Sequence, residues 1–184
     1  MIRLERLDGP ATAAVRDQLV AVYRAAMGAA PFHETEVETG WFADELADEV
    51  TEAGYRCWVA YDDDGRVAGF AYGFPTPEIP PGGWYGSLRQ AVGPDGAERW
   101  LTGQFAVVWI AVLPARRGRG VGRALLERLL AGAGSERAWL VTHDLDTPAR
   151  ALYRSLGFRH LGRGPLGWHD ADRVVLGADL PPGG

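Results

Sequence analysis

Apolar and polar residues alternate along Ile2-Arg-Leu-Glu-Arg-Leu7, the period-two pattern of a strand with one buried face. Asp8-Gly9-Pro10 interrupts it, and Pro10 suits a first helical turn. Val15, Leu19, Val22 and Ala26 then recur at helical spacing. Val37, Trp41, Phe42, Leu46 and Val50 make the apolar stripe of a second helix over Glu34–Ala53, which Gly54 ends. Cys57–Tyr61 and Val67–Phe74 are short apolar runs flanking Asp62-Asp-Asp-Gly65, a hairpin signal. Phe105–Leu113 is the most apolar run and lacks polar alternation, predicting a central strand buried on both faces. Pro114 stops it. A helix over Gly118–Leu130 carries Val121, Leu125, Leu126, Leu129 and Leu130 on one side. A strand over Ala138–Thr142, a helix over Pro148–Leu156 ending at Gly157, and strands over Phe158–Leu161 and Arg173–Leu176 complete the pattern.

Residues 75–103 break this rhythm. Pro75, Pro77, Pro80, Pro81, Gly82 and Gly83 precede Trp84 and Tyr85, and only a short helix near Ser87–Ala91 is expected. A connection this long is uncommon in a compact domain and generally has a task. No repeat or linker is visible, and the only low-complexity segment is the Pro-Pro-Gly-Gly tail.

With 184 residues, 47% apolar and 23% charged, the expectation is one α+β domain spanning 1–184. All 19 basic residues are Arg, and the net charge of −5 argues against a general nucleic-acid binder. The single Cys57 excludes an intramolecular disulfide and reads as a small core residue. Met1–Pro10 shows no apolar leader, and no stretch approaches the roughly 20 apolar residues of a membrane span. A cytoplasmic protein without membrane partners is expected. His33, His143, His160 and His169 lack metal-ligand spacing, so no metal is expected.

Chemistry concentrates in Val112-Leu-Pro-Ala-Arg-Arg-Gly-Arg-Gly-Val-Gly-Arg-Ala-Leu-Leu126. A buried strand runs into a glycine-rich turn that opens an amphipathic helix. The first N–H groups of a helix have no internal partner and carry the positive end of its dipole. Gly118, Gly120 and Gly122 keep side chains away, so several N–H groups can converge on one anion. Arg116, Arg117, Arg119 and Arg123 add four positive charges within eight residues. Together these suit a phosphate, although an arginine-rich surface turn before a helix is the plainer alternative. The glycine spacing does not fit the dinucleotide-binding pattern, and without Lys there is no nucleotide phosphate loop.

Arg117-Gly-Arg-Gly120-Val-Gly122 resembles the Arg/Gln-x-x-Gly-x-Gly/Ala signature of the GNAT acyl-CoA N-acyltransferases, placed between the fourth strand and the third helix as in that family. Ala149-Arg-Ala-Leu-Tyr-Arg-Ser-Leu-Gly-Phe158 resembles a second motif of the same family. The order of elements from Ile2 to about Leu180 resembles the family's whole domain. The resemblance implies a mixed, mostly antiparallel twisted sheet of six to seven strands flanked by about four helices. It implies acetyl-CoA as cosubstrate. Its pyrophosphate is expected on the N–H groups of Gly118, Arg119, Gly120, Val121 and Gly122, helped by Arg117 and Arg123. Its pantetheine arm is expected to pair with the backbone of Ile110, Ala111 and Val112. Tyr153 is the expected catalytic acid, protonating the departing thiolate; a core tyrosine on an amphipathic helix is the alternative.

Two positions depart from the family pattern. Asp146 stands where members often have Asn, and is expected to cap the following helix instead. Gln104–Val112 holds no carboxylate, where some members carry a general base. Glu34 and Glu36, with His33 and Glu38, lie where family members often meet substrate, with a solvated helix face as the alternative. His143 and Asp144 follow the fifth strand, near where the acetyl group is expected. Trp84 and Tyr85 either cover an acceptor or pin their loop to the core. The acceptor is expected to be a small-molecule amine or a peptide N-terminus, with transfer in a ternary complex. A module that binds acetyl-CoA without turnover is the alternative, and homodimers are frequent in the family.

Overall fold

The computed structural model describes residues 2–77, 82–165 and 172–181. Pro80, Pro81, His169 and the end of the C-terminal tail lie outside these. Along the chain come β1 (Arg3–Leu7), α1 (Gly9–Ala14), α2 (Arg16–Met27), α3 (Glu36–Glu49), β2 (Arg56–Tyr61) and β3 (Val67–Pro75). Then follow α4 (Gly83–Val92), α5 (Pro94–Trp100), β4 (Phe105–Val112), α6 (Val121–Leu130), β5 (Arg137–His143), α7 (Pro148–Ser155), β6 (Arg159–Pro165) and β7 (Asp172–Asp179). The seven strands form a mixed sheet in the order β1-β2-β3-β4-β5-β7-β6. Contacts divide the chain into two compact units: Met1–Phe74 with Trp109–Gly132, and Pro75–Val108 with Ala133–Gly184.

In the first unit β1, β2 and β3 form an antiparallel meander. The β2–β3 hairpin closes where Asp62 N–H donates to Arg66 O at 2.9 Å and Gly65 takes φ +74°. The single helix expected after Pro10 is two. Asp8 caps α1 by accepting from Ala11 N–H at 2.9 Å, and Val15 then leaves helical geometry at φ −109°, ψ 12°. The chain restarts as α2, which buries Leu19, Val22, Tyr23 and Ala26. Helix α3 starts from a capping box, Thr35 with Glu38, a device that satisfies two otherwise orphaned N–H groups. Helix α6 buries Val121, Leu125, Leu126 and Leu129, the predicted stripe. Gly69 on β3 lies so close to β4 that a methyl there would meet Ala111 O at 2.9 Å.

In the second unit β5 pairs antiparallel with β7, and β7 with β6. The parallel β4–β5 ladder covers Phe105↔Ala138 and Ala106↔Trp139, at the very start of β4. This corrects the expectation of a strand buried on both faces. Phe105, Ala106, Val107 and Ala111 are buried, whereas Val108, Trp109, Ile110 and Val112 are only half-buried. Apolarity marked the strand but did not report where its ladder stops.

Residues 83–100 are mostly helical rather than a loop with one short helix. Gly93, at φ +77°, separates α4 from α5, and Pro94 opens α5. Leu88, Ala97, Trp100 and Leu101 join Ala106, Trp139 and Val175 in one apolar cluster. Gly162 lets β6 approach α4 closely, since a Cβ there would fall 2.1 Å from Ala91 O. The Trp139 indole N–H donates to Thr76 Oγ1 at 2.7 Å, a buried bond fixing the segment after β3.

Candidate functional site

The glycine-rich turn begins after a short 3-10 turn, Pro114–Arg116. Gly118 takes φ +70° and Gly120 φ +79°, both in the region that L side chains avoid. A methyl at either position would meet nothing within 4 Å, so the turn is open on its outer side. Gly120 is the N-cap of α6 and offers no side chain to cap it. Its carbonyl accepts the first helical bond, from Ala124 N–H at 3.0 Å, and the N–H groups of Val121, Gly122 and Arg123 precede that bond. Helices α1, α3 and α7, by contrast, each start from a side-chain cap. An open ring of N–H groups at a positive dipole end is what an anion needs.

The four arginines behave differently from one another. Arg117 Nη2 donates to Ala26 O at 2.9 Å, and its Nε donates to Val112 O at 3.3 Å. Its guanidinium ties the turn to the ends of α2 and β4. Arg116 pairs with Asp62 at 3.1 Å, and Arg123 with Glu127 at 3.3 Å across one helical turn. Arg119 is exposed and forms no ion pair with the described residues. Immediately before the turn, Ile110 and Val112 are half-buried and Ala111 is buried on β4.

Beside this strand the same unit builds an aromatic wall that the sequence did not announce. Tyr23 of α2 stacks on Phe42 of α3 with ring centroids 4.1 Å apart and planes within 5°. Trp109 of β4 meets both edge-on, at 5.0 Å and 5.7 Å. Tyr23 and Phe42 are buried, while Trp109 is half-buried. The Tyr23 hydroxyl donates to the Glu34 carboxylate. Of the three acidic residues singled out here, Glu36 pairs with Arg24 at 2.8 Å and Glu38 belongs to the capping box. Glu34 is the one fixed against the aromatic group. Helical spacing marked Phe42 as core but passed over Tyr23, and Trp109 was hidden inside an apolar run.

Deeper in this unit Glu49 is half-buried and Cys57 is buried. The Tyr72 hydroxyl donates to Glu49 at 2.6 Å, yet burial pushes the Glu49 carboxyl up to about 7. Burial raises the Cys57 thiol to about 12, so it stays a thiol rather than a nucleophilic thiolate.

The second unit holds the remaining predicted residues. Tyr153 is the only buried residue of α7 and packs against Phe158, ring centroids 6.0 Å apart. Burial pushes its phenol up to about 12, which keeps it protonated and able to donate. Asp144 is held in ion pairs by Arg150, at 3.2 Å, and by Arg163. Burial and the Arg173 charge lower the His143 pKa, favouring neutral imidazole. Thr147, not Asp146, is the N-cap of α7 and accepts from Arg150 N–H at 3.3 Å. Pro148 at the first helical position makes the residue just before it the cap. Trp84 and Tyr85 diverge: Tyr85 packs on the apolar cluster, while Trp84 is 40% exposed. Among the described residues no cluster of His, Cys, Asp or Glu could hold a metal, and no helix is long and apolar enough to cross a membrane.

Comparison with known proteins gives this geometry a context. A GCN5-like protein acetyltransferase of Mycobacterium tuberculosis is 35% identical over 128 residues, covering 62% of this chain and 59% of that protein. A mycothiol acetyltransferase of Nocardia farcinica is 31% identical over 156 residues, covering 84% of this chain and 39% of that protein. The chain thus spans well under two thirds of either relative's length. The crystal structure of the ribosomal-protein-S18-alanine N-acetyltransferase from Escherichia coli superposes with a TM-score of 0.64 at 20% identity, covering 100% of this chain and 97% of that one; at that identity the likeness concerns the fold. Residues 17–158 match the Acetyltransferase (GNAT) family, a span that includes both the glycine-rich turn and Tyr153, and the chain belongs to that family.

Proposed function

We propose that this protein transfers the acetyl group of acetyl-CoA to a primary amine of a small molecule or a protein N-terminus, by direct attack in a ternary complex. The observation that carries the proposal is the open turn at Gly118 and Gly120, with positive φ angles and no side-chain cap on the start of α6. The turn fits a diphosphate: the N–H groups of Gly118, Arg119, Gly120, Val121 and Gly122 hold it, and charge-assisted hydrogen bonds of this kind contribute about 1.5–3 kcal/mol each. Ile110, Ala111 and Val112, past the end of the ladder to β5, offer their backbone to the pantetheine amides, since a strand beyond its ladder keeps unpaired groups.

In this reading acetyl-CoA supplies an activated thioester, and the protein's residues orient it and manage one proton. As the neutral amine bonds the acetyl carbon and the C–S bond breaks, Tyr153 donates its proton to the sulfur, and the proton shed by the new amide nitrogen returns through solvent to restore the phenol. Its raised pKa keeps the proton in place across the working pH range, and acid help of this type gives about 10²–10⁴-fold. An acetyl-enzyme intermediate has no support, because the sole cysteine is a buried, protonated thiol. The test is release of free coenzyme A thiol from acetyl-CoA across a panel of primary amines, alongside acetyl-CoA affinity by calorimetry. Turnover with at least one amine is expected. Tight binding without turnover on any amine would overturn the proposal.

A further inference from the structure

Nothing packs on the outer side of the glycine turn, since a methyl at Gly118 or Gly120 would meet no atom within 4 Å. A free glycine visits many backbone conformations about equally, so the shape of this turn has to be fixed from its flanks. Arg117 does so through its bonds to Ala26 O and Val112 O. The β2–β3 hairpin supplies the other hold. Leu113 N–H donates to Ala68 O of β3 at 2.9 Å, and Arg116 N–H closes the 3-10 turn on Leu113 O at 2.8 Å. Asp62, at the corner of the hairpin, completes the link. Its Oδ2 accepts from Arg116 Nη2 at 3.1 Å, while its Oδ1 accepts from the N–H groups of Asp64 and Arg66 at 3.1 and 3.0 Å. The Arg66 N–H above all, with that of Asp64 and the Arg116 charge, holds this carboxyl below the ordinary carboxylate range, so it is ionised at neutral pH.

We propose that Asp62 is a positioning residue for the diphosphate turn: by holding Arg116 it preorganises the backbone that enters Gly118, and Arg116 serves as a strut rather than as a phosphate ligand. This rests on the cofactor assigned in the acetyl-transfer reading and deepens it. Two effects of the carboxylate then oppose each other. Its field repels an anionic ligand, whereas the strut lowers the ordering that the ligand would otherwise have to impose on the turn. The sign of the change on removing the charge tells which effect governs.

The test measures the Kd of coenzyme A by calorimetry, and KM and kcat for acetyl-CoA with any accepted amine. Asp62→Asn keeps an oxygen for the two backbone N–H groups and removes the charge that holds Arg116. It should raise Kd and KM by about two- to fivefold, the range for a partly exposed ion pair, with kcat within about twofold. Arg116→Gln cuts the same strut from its other end and should do the same, and the double variant should bind no more weakly than the weaker single one. Asp64→Asn removes an equal charge from an exposed side chain of the same hairpin, and should leave affinity unchanged or slightly tighter. Tm without ligand should stay within about 4 °C of wild type in each variant. If Asp62→Asn tightens coenzyme A, matches Asp64→Asn, or lowers kcat as much as it raises KM, the inference is overturned while acetyl transfer stands. It is equally overturned if the two single losses multiply in the double variant. If wild type binds coenzyme A but acetylates no amine, acetyl transfer falls alone and the Kd comparison still decides the strut. If wild type binds no coenzyme A, both fall.

Discussion

Replacing Gly120 by Ala separates the backbone cost of the turn from its ligand role. At φ +79° an alanine pays the left-handed penalty, about 1–2 kcal/mol. Nothing lies within 4 Å of the new methyl, so no clash adds to it. For a chain of this length each kcal/mol shifts Tm by about 2–4 °C, which predicts a fall of about 2–8 °C without ligand. In the proposed reading, the open space the methyl enters is the space the diphosphate takes. Coenzyme A at a hundredfold excess over Kd stabilises wild type by about 2.7 kcal/mol. Loss of one charge-assisted hydrogen bond, about 1.5–3 kcal/mol, leaves about 0.3–1.3 kcal/mol at the same concentration. Thermal unfolding with and without coenzyme A measures both. Gly103→Ala is the matched control, because Gly103 has φ +70° and equally open surroundings but lies outside the turn. It should show the same drop without ligand and a full ligand shift. If Gly120→Ala retains as large a ligand shift as Gly103→Ala, the turn does not hold the diphosphate.

Three further outcomes follow from named contacts. Tyr153→Phe, which removes only the hydroxyl, should keep acetyl-CoA affinity in calorimetry and lower turnover by tenfold or more, as loss of a general acid does. Glu49→Gln should change how stability depends on pH. With its folded pKa raised to about 7 from an ordinary 4.5, wild type loses stability as pH rises from the unfolded value through the folded one. The variant lacks this loss, so relative to wild type its Tm should be higher at pH 8 than at pH 5; an identical difference at both pH values would refute a half-buried, proton-holding Glu49. Thr76→Val leaves the buried Trp139 indole N–H without its acceptor, which should cost about 1–3 kcal/mol in denaturant unfolding.

Local signals were legible in the sequence wherever chemistry and position coincide within a few residues. The alternation at Ile2–Leu7, the Asp-Gly hairpin, the α6 stripe and the glycine turn all appear as expected. Features set by distant packing were not. The break at Val15 separates a helix that packs on β1 and β2 from one that packs on α3, and a regular apolar spacing hid it. Proline and glycine made residues 75–103 look irregular, yet Leu88, Ala97, Trp100 and Leu101 fold two helices onto β5 and β7. Thr147 was within reach, because Pro148 already marks it as the cap. The partnership of Glu34, Tyr23 and Trp109 joins α2, the loop after it and β4, and no spacing rule encodes it.

The anchoring of Arg117 to the carbonyls of Ala26 and Val112 bears on how the turn can attract a ligand. With that guanidinium serving as a brace, and two of its neighbours occupied by Asp62 and Glu127, recognition falls chiefly to main-chain dipoles. Arg119, exposed between Gly118 and Gly120, is the side chain left to add a salt-sensitive attraction. Raising ionic strength should weaken affinity mainly through that residue, and Arg119→Gln should flatten the dependence.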